Sequence, residues 1–126
     1  MEDEFEFDKE ILVAFDFDGT FTQMDTYNKP PVINLKAIRY FHKINKLNVK
    51  TILFSCRHGQ HLQQAIDLLQ DYDVYFDYIN TDNGKRNSGI KVNADVYIDD
   101  RANDGKIRWF KTYKHIKRLI KCNNKK

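Results

Sequence analysis

Residues 11–15, Ile-Leu-Val-Ala-Phe, form an unbroken apolar run, the pattern of a strand buried on both faces. The run stops at Asp16, and a second aspartate follows two residues later in "DFDGT". A polar, turn-rich stretch, "TFTQMDTYNKPPV", then closes on Pro30 and Pro31. Asn34 is placed to cap a helix over 35–47, where Leu35, Ile38, Phe41, Ile44 and Leu47 recur at three-residue spacing. "VKTILFS" predicts a second strand ending at Ser55. Gly59 to Asp71 predicts a second helix, with Leu62, Ala65, Ile66 and Leu69 on one face. "VYFDYIN" is a third candidate strand, and a loop over 80–90 separates it from a fourth, "ADVYIDD", ending in Asp99 and Asp100. A basic amphipathic helix closes the chain, with Ile107, Phe110, Tyr113, Ile116 and Ile120 assigned to its apolar side.

Strands alternating with helices predict an α/β fold with a mainly parallel sheet. Right-handed crossovers would put helices on both faces, giving a three-layer Rossmann-like arrangement. At 126 residues the whole chain, 1–126, is expected to be one domain. No repeat or Gly/Ser linker divides it.

The polar residues fall at particular places. Asp16 ends the first strand, Ser55 the second, and Asp99 with Asp100 the fourth. In a parallel sheet these ends share the carboxyl edge, where open α/β sheets bind ligands. Asp18 adds a further carboxylate just beyond. Such a cluster calls for a cation, and oxygen-only ligands suit Mg2+, which takes one or two protein carboxylates and keeps several waters. No histidine or cysteine sits at the strand ends themselves, which disfavours zinc. Gly19 and the backbone N–H groups around Phe17 and Asp18 can form a small anion-binding concavity. Lys91, eight residues before Asp99, can reach the same rim. Together these groups suit phosphoryl transfer, which depends on positioning and charge neutralisation.

Charge and cysteine content adjust this picture. The formal net charge of +3 conceals an asymmetry: the first ten residues hold six acids and one lysine, whereas residues 106–126 hold nine Lys or Arg and no acid. That basic end is either a solvated helix face or a footprint for an anionic partner such as nucleic acid. Cys56 and Cys122 do not make a disulfide framework, and "MEDEFEFDKE" lacks a signal-peptide pattern, so a cytoplasmic protein is expected. No apolar stretch approaches a membrane span.

The motifs resemble those of the haloacid dehalogenase superfamily of phosphotransferases. "DFDGT" at 16–20 looks like its first motif, Ser55 in "ILFSCR" its second, Lys91 its third, and "YIDDR" at 97–101 its fourth. Similarity is greatest to small capless bacterial and phage members, whose segments read like "ILWTCREG" and "KPYADVYIDDR"; here they read "ILFSCRHG" and "KVNADVYIDDR". The resemblance implies a magnesium-dependent phosphomonoester hydrolase. Asp16 would attack phosphorus and form an aspartyl-phosphate. Asp18 would protonate the leaving alcohol and then deprotonate the hydrolytic water. Ser55 and Lys91 would hold the phosphoryl oxygens, and magnesium would be bound by the Asp16 carboxylate, the Asp18 backbone carbonyl and Asp99. Asp100 would orient Lys91 or a metal-bound water. Cys56 lies beside Ser55 in the phosphate-binding segment. No histidine is clearly placed to activate its thiol, so it is read as a small buried residue.

His58 stands where close relatives carry an acid, and Asp104 has the spacing of an acid used by members with a longer fourth motif. His58 and His61 are three apart on a helix but read more simply as solvated or capping side chains. Family cap domains insert where residues 21–33 and 80–90 lie, and both stretches are too short to fold as domains. The site is therefore expected to be open, serving a large substrate or closed by a neighbouring copy of the chain. Two other readings remain. One assigns a phosphorylated nucleic-acid end as substrate, held by the basic helix. The other is a phospho-acceptor or non-catalytic domain, from which a general acid at Asp18 would distinguish a phosphatase.

Overall fold

The computed structural model describes residues 10–22, 32–55, 57, 59–80, 94–99 and 107–124. Its elements are β1 (Ile11–Asp16), α1 (Leu35–Asn45), β2 (Val49–Phe54), α2 (Gly59–Gln70), β3 (Tyr78–Ile79), β4 (Val96–Ile98) and α3 (Trp109–Asn124). The strands form one parallel sheet in the order β3-β2-β1-β4, flanked by helices, a Rossmann-like α/β arrangement. Among the described residues no helix is long and apolar enough to cross a membrane.

Central β1 is apolar throughout because it is covered on both faces. Its odd positions, Ile11, Val13 and Phe15, join a large core with Leu53, Val96 and Ile98. Its even positions, Leu12 and Ala14, join a smaller cluster with Ile52 and Ala94. The buried residues of all three described helices belong to the large core. Two successive right-handed crossovers moving the same way along the sheet put both connecting helices on one face, and α3 packs beside α1 there. The expectation of helices on both faces is thus met on one face only among the described residues.

Asn34 caps α1 as its sequence position predicts, its Oδ1 accepting from the N–H groups of Lys36 and Ala37 at 3.1 and 3.4 Å. The apolar stripe is shifted, however. Ala37, Ile38, Phe41 and Ile44 are buried, while Leu35 is 61% exposed. Strict three-residue spacing drifts around a helix of 3.6 residues per turn, so Leu35 lies too far round to face the sheet. In α3 the same geometry buries Trp109 at 3% exposure and leaves Phe110 at 60%.

The third strand is shorter than expected. Val74 N–H still bonds back to Leu69 O at the end of α2, so pairing begins only near Asp77. A repeated side-chain device extends these short edges. Asp77 N–H donates to Thr51 O while its Oδ2 accepts from Thr51 N–H at 2.8 Å and Thr51 Oγ1 at 3.2 Å. Asp95 does the same with Leu12, donating its N–H to Leu12 O and accepting from Leu12 N–H at 2.8 Å. In effect each carboxylate supplies the next rung of a ladder whose strand has not yet begun. Thr51 is fully buried, so Asp77→Ala strands both its donors. A loss of about 1–3 kcal/mol is expected. Thermal unfolding should show it as a lowered Tm, with Asp77→Asn, which keeps an acceptor, losing less.

Four phenylalanines brace the end of β1. Phe15, Phe21, Phe41 and Phe76 contact one another in all six pairings, with ring centroids 5.0–6.1 Å apart. Since Phe21 belongs to the loop after β1, this cluster fixes that loop to the core.

Candidate functional site

Because all four strands are parallel, their carboxyl ends lie on one edge. Asp16 is the last residue of β1 and is paired with Phe54 on β2, so Ser55 begins just past that rung. On the other side Phe15 pairs with Ile98 of β4, and Asp16 and Asp99 each lie one residue beyond. Three sequence-distant segments therefore converge at neighbouring positions on the edge.

The turn after β1 is built to stay there. Phe17 O accepts from Thr20 N–H at 3.2 Å and from Phe21 N–H at 2.9 Å. Phe17 and Phe21 are both fully buried, pinning the turn at two points. Gly19 has φ +83°, a conformation that favours glycine. Its N–H donates to Thr22 Oγ1 at 2.9 Å, so that donor is committed inside the turn rather than offered to an anion. Gly19 contributes shape, and any anion-binding donors of the turn fall to the Phe17 and Asp18 amides. The Phe17 ring is core, leaving only its backbone for a ligand. Thr20 Oγ1 is buried with no partner among the described residues, an arrangement that serves the fold poorly.

Ser55 is held from both sides. Its N–H donates to Asn80 Oδ1 at 2.8 Å, and its Oγ accepts from Arg57 N–H at 3.0 Å. Asn80 in turn donates its own N–H to Leu53 O at 2.7 Å, repeating the side-chain rung seen at the strand starts. With Oγ accepting from the backbone, the hydroxyl proton is directed elsewhere and can donate.

Arg57 is the residue that sequence reading left without a role. Its Nε and Nη2 donate to Asp18 Oδ2 and Oδ1 at 2.8 and 2.7 Å, a bidentate fork. The guanidinium also lies 4.9 Å from the centroid of the Phe17 ring. Its side chain is only 5% exposed, against 24% for Asp18. Asp18 is thus fixed in orientation by a cation stacked on the residue between the two aspartates. The only trace of this in the sequence is an arginine two residues after Ser55.

Arg57 is paired with Asp18, which leaves Asp16 and Asp99 as the carboxylates of the edge to consider for a cation. The described residues contain no group of three Asp, Glu, His or Cys side chains able to cage a metal alone. Magnesium does not need one, since it binds through one or two carboxylates and completes its shell with water and substrate oxygens. The Asp16 and Asp99 carboxylates and the Asp18 carbonyl are an all-oxygen donor set that fits it, while the Asp18 side chain is occupied by Arg57. Cys56, His58, Lys91, Asp100 and Asp104 lie outside the described residues, as do 1–9, 23–31 and 81–93.

A solved structure of a conserved protein from Bacteroides thetaiotaomicron is similar to this chain, with 27% identity and a TM-score of 0.75 over 88% of this chain and 93% of that one. No protein-family model matches the chain, and neither does any curated protein.

Proposed function

We propose that the chain is a magnesium-dependent phosphomonoesterase of haloacid dehalogenase type, working through an aspartyl-phosphate. The observation that supports it most is the convergence of Asp16, Asp18, Ser55 and Asp99 on one edge of a parallel sheet. In the order "DFDGT", Ser55, "YIDDR", that convergence matches the motif pattern the sequence resembles.

In this reading an Asp16 carboxylate oxygen forms the new bond to phosphorus as the bond to the ester oxygen breaks. Asp18, two residues on, gives its proton to the departing alcohol. It then takes one from the water that cleaves the acyl phosphate, returning Asp16 to its carboxylate form. The Arg57 fork favours Asp18 as the carboxylate that takes a proton from water, so Asp18 enters the first step protonated on an oxygen lone pair that the fork leaves open. The Ser55 hydroxyl donates to a phosphoryl oxygen, and the Phe17 and Asp18 amides add backbone donors. Lys91 is assigned to a phosphoryl oxygen by the motif resemblance alone. Magnesium, when bound, supplies the positive charge that lets an anionic nucleophile approach an anionic phosphate.

Purified protein should release phosphate from p-nitrophenyl phosphate in magnesium. Excess EDTA should return the rate to background, and added magnesium should restore it. Hydrolysis that is indifferent to EDTA would sink the metal-assisted mechanism.

A further inference from the structure

A second feature lies beside this site, on the outer edge of the sheet. α3 carries no acidic residue, and it turns a basic stripe toward the edge strand β4. Between them is a recess of about 640 Å³ whose walls include Tyr97 of β4, Arg108 just before α3, and Lys111, Lys114, His115 and Arg118 of α3. Arg108, Lys111, His115 and Arg118 follow one another at three- or four-residue steps, the spacing of a single helix face. Arg108 and the four α3 residues are exposed, and the four cations among the five make no ion pair among the described residues.

From this geometry we infer that the α3–β4 groove binds single-stranded nucleic acid and presents its phosphorylated end to the carboxyl edge. The inference rests on the phosphatase reading and names its substrate class. Cations from Arg108 to Arg118 are spread along roughly 15 Å of helix. A partner that engages all of them must repeat its negative charge along a line, which a sugar phosphate or a free nucleotide does not. The surface is recessed, and a flat bilayer cannot enter it. Phe110 is 60% exposed on the same helix, with Lys114 Nζ 5.3 Å from its ring, whereas Tyr97 pairs with Ala14 and turns its ring to the other face of the sheet, its hydroxyl accepting from Ala94 N–H at 2.8 Å. An exposed ring beside a basic track suits a stacked base, whereas an acidic peptide offers nothing to stack. Tyr97 also lies only two residues before Asp99, roughly 7 Å along a strand. The groove wall and the carboxylates therefore lie within a short strand of one another.

The test is fluorescence anisotropy with a labelled twelve-nucleotide single strand, in EDTA so that no turnover occurs. Four phosphate contacts predict a log–log salt slope of about −3, so affinity should fall roughly fifty-fold between 50 and 200 mM salt. Lys111→Glu with Arg118→Glu should weaken binding at least about tenfold and flatten the slope, with the charge-removing Gln pair losing less. Lys36→Glu, on exposed α1 surface away from the groove, should stay within twofold. Absence of binding at 50 mM salt, equal losses at Lys36 and in the groove, or equally tight capture of polyglutamate or phosphatidylserine vesicles would each overturn the assignment. Because the assay involves no catalysis, failure here together with sustained ester hydrolysis removes only the substrate class. Strand binding without any hydrolysis removes the phosphatase reading instead.

Discussion

Asp16→Asn is expected to lower turnover on a phosphate ester by on the order of 10⁴-fold, since the amide is a poor nucleophile in the same place. The substitution keeps the side chain's shape, and Asp16 is a half-exposed strand end rather than core. The variant should therefore stay folded, with a Tm close to that of the parent protein. Loss of activity with Tm retained is the signature sought. A partner variant separates the two chemical steps. With p-nitrophenyl phosphate the leaving group needs little protonation, so Asp18→Asn should still be phosphorylated on Asp16 but hydrolyse the intermediate slowly. Rapid quench with labelled substrate should therefore trap phosphoprotein in Asp18→Asn and none in Asp16→Asn. A long-lived phosphoprotein in the unaltered protein would point to signalling chemistry instead. Full turnover by Asp16→Asn would end the nucleophile assignment outright.

How far the sequence reveals this molecule depends on whether a residue acts through its own neighbours or across space. β1 is readable because a strand covered on both faces must be apolar at every position. The Asn34 cap is readable because capping is settled within three residues. The strand-end carboxylates are readable for a related reason: once parallel strands are inferred, topology alone brings Asp16, Ser55 and Asp99 to one edge. What escapes reading is the precise phase of a helix, as with Leu35 and Phe110, where a small angular drift exchanges core for solvent. The length of an edge strand escapes too. β3 is two residues of ladder extended by Asp77 and Asn80, and nothing local to "VYFDYIN" says that its neighbours' backbones will be met by side chains. Arg57 is the clearest case. Its partners, Asp18 and Phe17, are about forty residues away in the chain, and the pairing exists only after β1 and β2 align.

That same pairing carries the second large effect. Arg57→Ala should cut turnover about 100-fold, with much less change in KM. The side chain is buried and directs its Nε and Nη2 at the two Asp18 oxygens, so its removal frees the Asp18 carboxyl to rotate. The stability cost should be modest, about 1–2 kcal/mol, since Asp18 is a quarter exposed and water can replace the lost donors. Arg57→Lys discriminates further. Lysine keeps the charge but cannot make two parallel bonds or lie flat over the Phe17 ring, so most of the loss in kcat should persist. If charge alone mattered, lysine would restore the rate. If Arg57 were only a structural strut, kcat per folded molecule would not change in either variant. A defect confined to KM would instead put the guanidinium on the substrate, through the N–H groups that the Asp18 fork does not use.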